Sequence, residues 1–134
     1  MGAKVVKTDA EWQAGLSELA YRVTRHHATE RAFSHDRFPE GPATYACICC
    51  GAALFDAGAK CNSGSGWPSF SAPLSPAAVG LQEDRSWFMC RTEVHCATCD
   101  AHLGHVFRDG PKPSGLRYCI NGVALDHRPA GLAR

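Results

Sequence analysis

Two C-x-x-C turns constrain this chain more than any other feature: Cys47 and Cys50 in TYACICCG, and Cys96 and Cys99 in RTEVHCATCD. Each turn puts two thiolates within reach of one ion, and each leaves a run that reads as a strand. Together they offer the four sulfurs of a tetrahedral zinc site. Any fold that satisfies them must bring two hairpin ends together across the long insertion between the pairs. One structural zinc is therefore expected, held by Cys47, Cys50, Cys96 and Cys99. A closed site of this kind is a clamp rather than a catalyst, because a catalytic zinc keeps one position open for water or substrate. Cys49 offers the first turn a second, tighter spacing, and free thiols or a pair of redox C-x-x-C sites are the competing readings.

Eight cysteines in 134 residues suit the same interpretation. In a reducing compartment such a density signals metal binding or redox chemistry more often than structural disulfides. The start, MGAKVVKTDAEW, lacks the apolar stretch of a secretory signal, and no segment approaches the length of a membrane span. The expectation is a cytoplasmic monomer. Fourteen basic residues against 13 acidic ones, a net charge of +1, give no electrostatic reason to expect a nucleic acid or a membrane as partner. Small or neutral substrates fit better.

The chain reads as one domain over 1–134, with a helical N-terminal arm over about 1–40 and a β core over about 41–130. Thr8-Asp9-Ala10-Glu11 has the form of a capping box. Trp12, Leu16, Leu19, Ala20 and Val23 then recur at helical spacing, which predicts one amphipathic helix from about 9 to about 22, with Trp12 packed against the body. The following TRHHATERAFSHDRFPEGPA reads as an irregular surface connection in which His26, His27 and His35 are solvated. SAPLSPAAVG reads as another connection, and residues 86–94 as a strand.

Reactive chemistry collects near the C-terminus. In Arg117-Tyr118-Cys119-Ile120-Asn121 alternation places Arg117, Cys119 and Asn121 on one face of a strand and turns Tyr118 and Ile120 into a core. A cation beside a thiol favours the thiolate, the nucleophilic form. The alternative is that Cys119 is simply a small buried hydrophobe. Upstream, His102 and His105 in AHLGHVF would face opposite ways in an ideal strand, but a bulge at Gly104 brings both imidazoles to one side, where they suit proton transfer. Their spacing is too short for the usual zinc-ligand pair. Trp67, in CNSGSGWPSF, follows a glycine-flanked loop and precedes a proline, a setting that can present it at the lip of a pocket as readily as pack it in a core.

Taken together, YACICCG, GSGWPSF, CATCDAHLGHVFRDGP and GLRYCIN resemble the B-type methionine sulfoxide reductases, from about Tyr21 to about Pro129. The resemblance implies a mainly β fold of two antiparallel sheets with an N-terminal helix and a zinc-clamped knuckle pair. It implies thiol-dependent reduction of methionine-R-sulfoxide, free or in oxidised proteins and peptides, with no organic cofactor. Cys119 would be the nucleophile that becomes a sulfenic acid, His102, His105 and Asn121 polar residues of the active site, and Arg117 the basic neighbour. Trp67, with Phe70, would receive the substrate. A resolving thiol and a thioredoxin-like reductant would restore Cys119. This chain departs from the pattern in two places. Ser65 stands where many members carry the resolving cysteine, which leaves Cys61 as the substitute, ahead of Cys49 and Cys90; and Gly122 replaces the usual serine. A zinc-ribbon binding module without catalysis is the alternative, although such a module has no use for Cys119 beside Arg117.

Overall fold

The capping box at the start of the chain forms as the sequence dictates. Thr8 Oγ1 accepts the Glu11 N–H at 3.2 Å, and Glu11 Oε1 accepts the Thr8 N–H at 2.9 Å, opening α1 (Asp9–Gly15). The computed structural model describes residues 4–84 and 91–130. The single helix expected over 9–22 is instead two. Leu16 is extended, and the Ser17 side chain accepts the Ala20 N–H at 3.1 Å to begin α2 (Glu18–His26). Gly15 weakens the end of the first helix and serine competes for the backbone donors, so the break falls between them. α2 ends at His27 in the left-handed region, φ 59°, so the irregular connection starts later than its composition suggested. Trp12 is buried, with the Arg25 guanidinium 4.3 Å from its ring centre. Arg25 also donates to the Cys99 carbonyl at 2.8 Å, joining the helical arm to the second knuckle.

The rest is mainly β, as expected. Strands β1 (Ala43–Cys47), β2 (Ala53–Asp56) and β9 (Leu125–Pro129) form an antiparallel sheet in the order β2-β1-β9. A second antiparallel sheet, in the order β3-β4-β8-β7-β6-β5, contains β3 (Lys60–Cys61), β4 (Ser69–Phe70), β5 (Val79–Asp84), β6 (Arg91–Cys96), β7 (His102–Phe107) and β8 (Arg117–Ile120). Leu54 and Phe55 from the first sheet meet Phe70, Val94, Leu103 and Ile120 from the second, all fully buried. Phe55 and Phe70 stack with centroids 4.4 Å apart, and Tyr45 meets Phe70 edge-on at 5.1 Å. Aromatic pairs of this geometry add to the burial that holds the layers together.

Two expectations need correction here. Phe70, expected at the substrate, belongs to the core, because strand alternation sends it and its neighbour Ser69 to opposite faces. The supposed connection over 71–80 already contains the start of β5, an edge strand whose Leu81 is 53% exposed, so its pattern carried little apolar contrast. Of the strand expected over 86–94, residues 91–94 lie in β6. Residues 85–90, Cys90 included, fall outside the described part. No helix among the described residues is long and apolar enough to cross a membrane.

Candidate active site and sulfur cage

The two knuckles close on each other. Cys47 ends β1 of the small sheet and Cys96 ends β6 of the large one, so their turns bring the sheets to a common point. Cys47 Sγ lies 3.7 Å from Cys99 Sγ and Cys50 Sγ 3.6 Å from Cys96 Sγ, and all four sulfurs fall within 4.8 Å of one another. A tetrahedron of sulfurs about 2.3 Å from a central ion has edges of roughly 3.8 Å, so the cage has the dimensions of a four-thiolate metal site. The donor set points the same way. Packed without a cation the thiols cannot share their charge: burial pushes Cys50 up to about 12, while a hydrogen bond from Cys47 is the main pull on Cys99, down to about 6. Cys49 stands outside the four, with its Sγ 3.3 Å from Thr24 Oγ1.

The second constellation is assembled by register. Cys119 on β8 pairs directly with His105 on β7 and, on its other side, with Ser69 on β4. Residues opposite each other in antiparallel strands share a face with Cβ atoms about 4.5–5.5 Å apart, so the imidazole and the thiol are neighbours. Together with Thr29, Trp67, Phe107 and Asn121 they line a cavity of about 110 Å³. A larger groove of about 580 Å³ runs between α2, residues 33–38 and residues 122–125, but its walls hold no thiol.

A bulge does bring the two histidines together, one residue earlier than expected. The pairing of β6 with β7 jumps from Val94↔Gly104 to His95↔His102, which leaves Leu103 as the extra residue. Its side chain stays in the core, and its carbonyl accepts both the Asn121 backbone N–H at 2.8 Å and the Asn121 Nδ2–H at 2.9 Å. Gly104 has a separate reason to lack a side chain: a Cβ there would lie 2.0 Å from the Cys119 carbonyl oxygen. His102 and His105 meet edge-on with centroids 5.6 Å apart. His105 borders the cavity, whereas His102 is buried behind it.

Trp67 is half-buried, and its Nε1–H donates to the Glu30 carbonyl at 3.1 Å. Residue 30, which composition had placed in a surface loop, is a hub. Its carboxylate is fully buried and accepts the N–H groups of Gly122 and Val123, both at 2.8 Å, while its own N–H donates to Asn121 Oδ1 at 2.9 Å. Both Trp67 and Asn121 are thus anchored on one residue that carries no sequence signal beyond a charge. Gly122 is required by the same contact region, since a Cβ would meet the His35 carbonyl oxygen at 1.8 Å. The same close approach leaves no room here for a serine side chain.

The expected activation of Cys119 by Arg117 is outweighed. Arg117 grips Asp109 with two bonds, 2.9 and 3.2 Å, and lies over the Phe107 ring at 4.7 Å. Burial raises the Cys119 thiol above its ordinary 9.0, and Ser65, Arg117 and Ser69 only partly oppose it. Ser65 Oγ lies 3.8 Å from Cys119 Sγ, at the end of a hydroxyl chain with Ser63 and Ser69. Cys61 pairs with Ser69, which pairs with Cys119. Two strand spacings, roughly 9.5 Å, therefore separate the Cα atoms of the two cysteines, beyond the roughly 4.4–6.8 Å of a disulfide.

A two-sheet scaffold with a four-sulfur clamp, and a separate thiol open to a small cavity beside an imidazole and an indole, is the frame of a cysteine-dependent oxidoreductase. Comparison with known proteins makes the class specific. The SelR domain matches residues 16–129. A peptide methionine sulfoxide reductase MsrB of Herminiimonas arsenicoxydans is 54% identical over 128 residues, covering 93% of this chain and 92% of that protein. Its namesake from Pseudomonas putida (strain W619) is 54% identical over 127 residues, with coverages of 94% and 96%, and one from Acinetobacter baumannii (strain AYE) is 52% identical over 123 residues, with coverages of 91% and 88%. The chain belongs to the SelR-domain family of B-type methionine sulfoxide reductases. The Mis18 'Yippee-like' domain has a TM-score of 0.51 at 17% identity, covering 68% of this chain and all but 1% of that one (99%), which is a likeness of fold alone.

Proposed function

We propose that this single-domain protein reduces the R epimer of methionine sulfoxide, free or within oxidised proteins and peptides, with Cys119 as the attacking sulfur. The observation that carries the reading is the register that sets Cys119 and His105 side by side on a cavity walled by Trp67. A sulfoxide sulfur is a poor electrophile until its oxygen is protonated or strongly hydrogen-bonded, so the reaction needs an acid and a nucleophile together. His105 supplies the proton at the oxygen, Cys119 attacks the sulfur, and the indole face of Trp67 holds the substrate methyl group. The substrate S–O bond breaks as an S–O bond forms on Cys119. The substrate sulfur gains two electrons, Cys119 loses two, and the thiol proton ends on the sulfenic oxygen as methionine departs. Asn121 orients the polar end of the site, and Arg117 offers a second cation at its rim.

Recycling follows from the chemistry of sulfenic acids, which condense with a thiol and release water. Cys61 is the resolving thiol in this reading. It lies on the two-residue edge strand β3, which must swing toward Cys119 before a bond can form. A thioredoxin-like dithiol then reduces the disulfide. Peptide mapping after one turnover is expected to show a Cys61–Cys119 disulfide; a sulfenic acid that persists on Cys119 assigns the step to the external dithiol. The cage holds one structural zinc, bound by Cys47, Cys50, Cys96 and Cys99, which supplies a cation for four thiolates and ties the sheets together. The seven described cysteines are all unpaired, which suits a reducing cytoplasm. An epimer-resolved assay tests the whole reading: methionine is expected from the R epimer, not the S epimer, and none from Cys119→Ser. Equal turnover of both epimers, or activity that survives Cys119→Ser, contradicts it.

A further inference from the structure

Three side chains that do not border the cavity lead toward it from solvent. His27, at the cap of α2, is exposed, and its Nε2 lies 3.1 Å from Glu93 Oε2. His102 Nδ1 lies 2.6 Å from the same oxygen. Glu93 and His102 are buried, at 9% and 3% exposure. His102 stands edge-on to His105, and His105 is the cross-strand neighbour of Cys119. An exposed imidazole, a buried carboxylate, a buried imidazole and a cavity imidazole therefore follow one another from the surface to the thiol.

A buried carboxylate is costly unless donors satisfy it, and here two imidazoles converge on one oxygen. An ionised carboxylate only accepts, so the bond fixes the His102 proton on Nδ1 and leaves Nε2 with its lone pair. Burial lowers the affinity of His102 for a second proton, and Glu93 opposes that loss. Glu93 from β6, His27 from α2 and His105 from β7 are the titratable groups that act on it. The reaction itself consumes no net proton, but one must leave the Cys119 sulfur and one must reach the substrate oxygen. A histidine pair that exchanges protons with water can keep the two events in step.

We propose that Glu93 is a positioning residue that holds His102 as the Nδ1–H tautomer, and that His27 completes a proton path from Glu93 to solvent. The inference rests on the sulfoxide reduction proposed above. Nitrogen-15 NMR of the histidine-labelled, zinc-loaded full chain reads the tautomer: the proton is expected on His102 Nδ1, and a proton on Nε2 overturns the assignment. Rapid-quench measurement of methionine formed in one turnover tests the path. Glu93→Gln is expected to slow that step by about 10-fold or more, less than the roughly 10²–10⁴-fold of a direct general acid or base, because Glu93 acts through His102. His27→Gln, a surface change, is expected to slow it several-fold, with recovery when imidazole is added to the buffer; a merely structural role predicts no recovery. Rates within twofold of wild type for both variants, or a His27→Gln defect that imidazole leaves unchanged, overturn the path. Should the wild-type chain form no methionine from either epimer, the proposed function fails, and the tautomer spectrum then decides alone whether Glu93 holds His102.

Discussion

The cage and the cavity use the same side chain under opposite conditions. In the cage four sulfurs face one another at 3.6–3.7 Å across each pair, three of them buried, and each is fixed by a tight turn at the end of a strand. In the cavity one sulfur faces hydroxyls, an imidazole and an indole, and remains partly open. Mutual crowding suits the first group to the metal-holding role proposed for it, because only a cation relieves four converging thiolates. Isolation suits the second to the reacting role proposed for it, because no other sulfur lies within bonding distance among the described residues. A cysteine's role is thus decided by which atoms its backbone register brings opposite it.

The largest effect is expected where that contrast is broken at the cage. Cys96→Ser should lose the metal and cost at least about 3 kcal/mol, on the order of 10 °C in melting temperature, since binding energy at such a site is folding energy. Metal analysis and calorimetry check this; full metal content with an unchanged melting temperature would remove the clamp from the account. At the cavity, Glu30→Ala strands the buried N–H groups of Gly122 and Val123. The expected cost is about 2–4 kcal/mol in urea titrations, with a further fall in turnover because Trp67 and Asn121 lose their common anchor. The smallest effect concerns protons. Burial raises Cys119 above 9.0, so the folded chain keeps a proton there that the unfolded chain has lost. Its contribution to stability is complete below about pH 9 and disappears as pH rises through the folded value. In the metal-loaded protein, stability measured from about pH 8 to 10.5 should fall more steeply for wild type than for Cys119→Ser.

The same contrast governs what could be read from the chain. The clustering of the four cage cysteines was legible because they lie in two short runs with fixed spacing, and the capping box and the Tyr118/Ile120 core face were legible because they depend on local periodicity. The cavity was legible only through Trp67, His105, Cys119 and Asn121, which line it. Glu30 and His27 looked like solvated charges, because what distinguishes them is burial or contact with residues far along the chain: Gly122 for Glu30, and Glu93 for His27. The activation of Cys119 was misjudged for a related reason. A neighbouring cation is visible in sequence, but the desolvation that outweighs it appears only when the sheets pack. The shift of the bulge from Gly104 to Leu103 depended on a cross-strand partner, which no local pattern announces.

In the proposed reading one sulfur reacts while four hold a metal. It is tested most directly by incubating the reduced, metal-loaded protein with one equivalent of methionine-R-sulfoxide, without recycling thiol, and trapping sulfenic acid with dimedone before peptide mapping. Close to one methionine per chain is expected, with the new oxidation on Cys119 either as the adduct or as its disulfide with Cys61, and all four cage cysteines unmodified. Methionine formed with Cys119 still a free thiol, or oxidation appearing on the cage cysteines, would contradict it.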